Sequence, residues 1–146
     1  MNQTLAGVLI SVLLVAMCVF VHFKALRRGA TFVARLHANT RQSMMMIMAI
    51  IFMAHIIEII LFAVAFRIMM PMGLGELVGA HTSTPGDFFY FSIATYTTLG
   101  IGDIVPEGAI RLVAGVEALA GLVLITWSAS FTYLTMERLW RDSLPD

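Results

Sequence analysis

Three stretches of this chain are apolar for long enough to cross a lipid bilayer, and this restricts the fold more than any other feature. A membrane-spanning helix needs about 20 mostly apolar residues. Leu5–Phe23, Met44–Met70 and Ala109–Met136 each meet that length. His55, Glu58 and Arg67 interrupt the second, and Arg111 and Glu117 the third. The chain is 60% hydrophobic and only 12% charged over 146 residues. A water-soluble domain of that size would lack the polar surface to cover its core, whereas in a bilayer apolar side chains can face lipid. An all-α membrane protein with three transmembrane helices is therefore expected.

A cleaved signal peptide carries positive residues ahead of its apolar run. Here Met1–Thr4 has no charged side chain, and Lys24, Arg27 and Arg28 follow the run, so Leu5–Phe23 reads as a retained span. The net charge is zero, which gives no basic excess for nucleic acid. The single cysteine, Cys18, excludes an intrachain disulfide and reads as a small buried hydrophobe. Lys24–Gln42 holds five of the nine Lys and Arg residues and no acid. The positive-inside rule puts that segment in the cytoplasm, with Arg138 and Arg141 of the tail, and the N-terminus outside. This is the topology of a multi-pass protein of the plasma (inner) membrane. Phe32, Val33 and Leu36 make the basic linker either a short interfacial helix or an extension of the second span. The outer segment Pro71–Gly108 carries Glu76, Asp87, Asp103 and Glu107, which either concentrate cations or are simply solvated loop charges.

Within that segment lies a fourth apolar stretch, Phe88–Tyr96, too short to span. Gly and Pro crowd both its approach and its exit, as expected of a re-entrant element. It leads into Thr98-Leu99-Gly100-Ile101-Gly102-Asp103. Stripping water from an ion is costly unless other oxygens replace it, and successive backbone carbonyls can do so if they point the same way. Glycine at alternate positions permits the dihedrals that align them, and Gly100 and Gly102 have that spacing. The Thr98 hydroxyl can add an oxygen at the inner end.

This segment resembles the T-x-G-Y-G-D filter of the potassium-channel pore-module family, and the resemblance runs from about Met44 to Met136. It implies a homotetramer, a pore helix over Pro85–Tyr96, an extended filter, and K+ held by carbonyls of Thr98, Leu99, Gly100, Ile101 and Gly102 with no other cofactor. Two positions depart from the family pattern. Ile101 replaces the usual aromatic, and the matching pore-helix positions are Tyr90 and Phe91 rather than tryptophans. Ala94 replaces a glutamate that pairs with the filter aspartate in some bacterial members, so Asp103 needs another partner. Alignment of the last span puts Gly121 at the family's hinge position, where it marks either a bend or close packing. Ile125, Ser128, Ala129, Thr132 and Met136 follow at helical spacing as a pore-lining stripe, with Trp127 off it.

Glu117 falls near filter depth and is expected to brace the filter or pore helix from behind, or to make an ordinary interhelical contact. His55 and Glu58 share a helix face. They offer two metal ligands, although interhelical hydrogen bonding is the simpler use. His22, His37 and His81 have no evident partner. No span repeats Arg at every third position as a voltage sensor does, and no catalytic constellation is present, so an enzyme is not expected. The chain divides into residues 1–43 (first span and basic linker), 44–137 (pore domain) and 138–146 (tail). The expected function is passive potassium conduction. The alternatives are a weakly selective monovalent cation channel and a non-conducting modulatory subunit.

Overall fold

The first helix does not stop where hydropathy falls. In a computed structural model, which describes residues 2–35, 39–79 and 83–141, helix α1 runs from Gln3 to Arg35. Its 33 residues measure about 50 Å, well beyond the ~30 Å hydrocarbon layer. Ala, Leu, Lys and Arg are good helix formers and no proline interrupts them, so the basic stretch continues the helix. This corrects both readings of the linker: it is neither a separate interfacial helix nor an extension of the second span. Leu26 and Val33 pack on Ile47 and Ile51 of the next helix, while Phe32 stays exposed. Leu36 and His37 lie outside the described residues, as does His81.

Helix α2 spans Thr40–Met69. Asn39 caps its start by accepting from the Gln42 backbone N–H at 2.9 Å, and Pro71 follows its end. Helix α3 covers Pro85–Tyr96. Thr84 and Asp87 form a reciprocal capping box and Pro85 opens the first turn. Twelve residues make about 18 Å, so α3 cannot span, and it packs instead between α2 and α4. Helix α4 runs unbroken from Ala109 to Arg141. Helices α1, α2 and α4 are each long and apolar enough to cross a membrane.

Two short strands flank α3: β1 (Leu77–Gly79) pairs antiparallel with β2 (Ile104–Pro106), Val78 opposite Val105. Two more backbone bonds continue the clamp, Glu107 N–H to Glu76 O and Ala109 N–H to Leu74 O, both 2.8 Å. The chain after Asp103 is thereby fastened to the chain approaching α3. Gln3 Nε2 donates to Gly73 O at 3.0 Å, so the start of α1 lies at the same end of the molecule as this clamp.

The core draws on every helix: Leu14 and Cys18 of α1, Phe62 and Phe66 of α2, Phe88 and Phe91 of α3, Ile110 and Val113 of α4. In lipid, association of such helices rests on close packing and interhelical hydrogen bonds rather than escape from water. Val12, Leu13, Met53 and Ile68 stay exposed, as suits faces turned to lipid.

Candidate ion filter and the helix network around it

The candidate filter begins where α3 ends. The chain turns off the helix through hydrogen bonds from Leu99 and Gly100 N–H to Ala94 O, at 2.9 and 3.1 Å. From there φ is positive at every second residue: +58° at Thr98, +53° at Gly100 and +86° at Gly102. Left-handed residues alternating with ordinary ones turn successive carbonyls to a common side, which a regular strand cannot do. Thr98 adopts this conformation despite its β-carbon, at about 1–2 kcal/mol. Leu99 and Ile101 are 67% and 56% exposed, so their side chains are not packed within their own chain.

Asp103 closes the segment. Its Oδ2 accepts from the Tyr90 hydroxyl at 2.9 Å and its Oδ1 from the Ile104 N–H at 3.0 Å. The partner that Ala94 cannot supply is therefore Tyr90, one helical turn earlier on α3. The hydrogen bond to the Asp103 carboxylate holds the Tyr90 phenol above its usual range. Phe91 turns the other way, edge-on to Phe66 with centroids 5.2 Å apart, and lines the space behind Gly100 and Gly102.

Glu117 of α4 is fully buried against α3. Ser92 Oγ lies 2.5 Å from Glu117 Oε1 and 2.8 Å from the Ile59 carbonyl. One hydroxyl proton cannot serve two acceptors, and a carboxyl proton on Glu117 would let both contacts close. Glu117 Oε2 has no partner among the described residues. A few residues on, Gly121 meets the end of α3: a β-carbon there would overlap the Tyr96 carbonyl oxygen. Close packing thus accounts for the glycine, and α4 stays helical through it.

A protein-family model described as an ion channel matches residues 48–138, that is 91 of the 146 residues. The chain belongs to this ion-channel family. Comparison with curated proteins and with solved structures found no match. It is a multi-pass membrane ion-channel subunit, and the matched part covers most of α2, α3, the candidate filter and most of α4. Helix α1 lies outside it.

What joins α1 to the channel module is a buried polar network beneath α3. Glu58 of α2, fully buried, bonds His22 Nδ1 of α1 at 3.0 Å through Oε1. Its Oε2 bonds His55 Nδ1 at 3.0 Å and accepts from the Tyr96 hydroxyl at 2.5 Å. The other nitrogens of both rings reach Ser128 Oγ of α4, at 3.0 Å from His55 and 3.2 Å from His22. His22 also lies 5.2 Å from the Trp127 ring. The two histidines and Glu58 have the identities of a metal set, with ligand atoms within 4.8 Å of one another. Every one of those atoms is already engaged in a hydrogen bond.

This network adds a second role to Ser128. The sequence puts it on a pore-lining stripe, and in the structure its hydroxyl also joins the two imidazoles, leaving it 6% exposed. Together with Ile125, Ala129, Thr132 and Met136 it edges a cavity of about 630 Å³, whose opposite wall is Met48, Phe52 and His55 of α2. The role of His22 is invisible in sequence, since its partners lie 36 and 106 positions away. The only available signal is a histidine within an otherwise apolar span, which implies a polar partner on a neighbouring helix.

Proposed function

We propose that four copies surround one axis and conduct potassium passively through backbone carbonyls of Thr98–Gly102. The observation that carries this reading is the alternation of left-handed φ at Thr98, Gly100 and Gly102. A single loop cannot ring an ion, whereas four such loops can replace its hydration shell. The C-terminal end of α3, with its partial negative charge, would face a central cavity and favour a cation there. The exposed Leu99 and Ile101 side chains then pack between neighbouring subunits. K+ is the bound ion, and no other cofactor is invoked. The site is the plasma membrane, with the basic ends of the helices in the cytoplasm and the α1 N-terminus outside. Gly121, Ser128 and Thr132 belong to the inner helix that would carry any gate.

Weak monovalent selectivity is a second reading, favoured by Ile101, which has no hydroxyl to anchor the filter. Purified protein in liposomes tests both, with potassium and sodium efflux compared. Potassium efflux at least about tenfold faster, equivalent to ~1.4 kcal/mol, is expected. Equal rates would select the weakly selective channel, and no flux of either ion would select a non-conducting subunit. Native mass spectrometry should show a tetramer, and a stable monomer would overturn the pore.

A further inference from the structure

His22, Glu58, His55 and Ser128 close a ring of hydrogen bonds whose proton count can be read from its geometry. The four contacts are His22 Nδ1 with Glu58 Oε1, Glu58 Oε2 with His55 Nδ1, His55 Nε2 with Ser128 Oγ, and Ser128 Oγ with His22 Nε2. Each contact needs one proton. Tyr96 Oη also lies 2.9 Å from His55 Nδ1, but its one proton goes to Glu58 Oε2, so it adds none to these four contacts. The Ser128 hydroxyl brings one proton and two neutral imidazoles bring one each. With Glu58 ionised, one contact is left without a proton and the cluster carries a net negative charge. One further proton fills the last contact and neutralises the cluster, whether it rests on an imidazole or on the carboxyl. Another beyond that would crowd the ring and leave a net positive charge. His22 and Glu58 are fully buried, where an uncompensated charge or an unmade hydrogen bond is costly. Hydrogen-bond closure and electroneutrality therefore demand the same count.

We propose that this ring is a binding site for one exchangeable proton, and that the bound proton locks α1 and α2 to α4 at Ser128, making the channel responsive to pH. Among the described residues the partners of Glu58 are the two histidines and Tyr96. The other titratable groups facing the ring are Cys18 from α1, Tyr96 from α3 and Glu117 from α4. Loss of the proton leaves Ser128 bonded to one imidazole only, and releases either His22 of α1 or His55 of α2 from this contact with α4. The existence of the proton site does not depend on permeation. Only its effect on flux rests on the conduction reading above.

The test reads the site without requiring flux. Trp127 is 5.2 Å from the His22 ring, and its emission reports the charge and hydrogen bonding of the ring beside it, wherever in the ring the proton rests. With Trp140→Phe removing the second indole, emission of the full-length protein is followed from about pH 5 to about pH 9, the range that brackets histidine titration. A single-proton transition is expected, 10–90% complete over about two pH units. Ser128→Ala, which cannot close the ring, should move the midpoint by at least about one unit. Ser128→Thr restores the hydroxyl and should restore the midpoint. Potassium efflux from liposomes should change at least about threefold across the same transition. A pH-independent emission, or an unmoved midpoint in Ser128→Ala, would overturn the proposal. So would a transition that EDTA erases and zinc alone restores, since that assigns the cluster to a metal. A normal emission transition in protein that passes no ion at any pH supports the proton site and sinks the conduction reading.

Discussion

Tyr90 gives its phenol proton to Asp103 at 2.9 Å, tying the first half of α3 to the residue that ends the candidate filter. The bond reaches across thirteen residues of chain and works with the β1–β2 clamp on the other side of Asp103. The filter exit is thus held from two directions without a second carboxyl group.

Tyr90→Phe removes that bond and little else. At neutral pH its potassium-over-sodium flux ratio should fall about 2–10-fold while the helices persist. The phenol is held above its ordinary range, so the contribution of the bond is full below the ordinary tyrosine pKa of about 10 and is lost as pH rises through the raised value. Wild type and variant should therefore converge only at strongly alkaline pH. Equal ratios at neutral pH would remove Tyr90 from the filter's support.

Glu117→Ala empties a fully buried site and leaves Ser92 facing it. A loss of about 2–4 kcal/mol is expected, seen as a lowered midpoint of thermal unfolding in detergent and reduced flux. Glu117→Gln keeps the volume and offers an amide N–H to Ser92, so its loss should be about 1 kcal/mol or less. Wild-type stability and flux in both variants would reduce Glu117 to an incidental helix contact.

Gly121→Ala distinguishes packing from bending. Its β-carbon would overlap the Tyr96 carbonyl, so α3 or α4 must shift. Destabilisation by about 1–3 kcal/mol with impaired conduction is expected. An unchanged unfolding midpoint with altered opening would indicate a hinge instead.

The spans were legible because each depends on apolar length, the short element after Pro85 because Gly and Pro bracket a short apolar stretch and the family resemblance implies a helix there, and the alternate backbone of Thr98–Gly102 because its glycines alternate. Features set by distant pairing were not. The β1–β2 clamp joins three-residue strands, one of them ending in glycine, with too little periodicity to read. Hydropathy marks the end of the first span near Phe23 but not the end of helix α1, which helix propensity carries on to Arg35. Nothing near Ser128 in sequence reveals the two histidines that share its hydroxyl.

Orientation can be checked by cysteine labelling of intact cells after removal of Cys18. A cysteine at Glu76 should react with an impermeant reagent and one at Asn39 should not. Labelling at Asn39 alone would invert the topology, placing the basic ends of the helices outside.

The potassium-over-sodium flux of Gly100→Ala in liposomes tests the central claim most directly. Gly100 has φ +53° and open space where a β-carbon would go, so the substitution acts through backbone conformation rather than collision. The strain is about 1–2 kcal/mol per subunit, and about 4–8 kcal/mol when a ring of four shares it. The account predicts intact spans and assembly with selective flux abolished. Normal conduction with unchanged selectivity would mean that ions do not pass along these carbonyls.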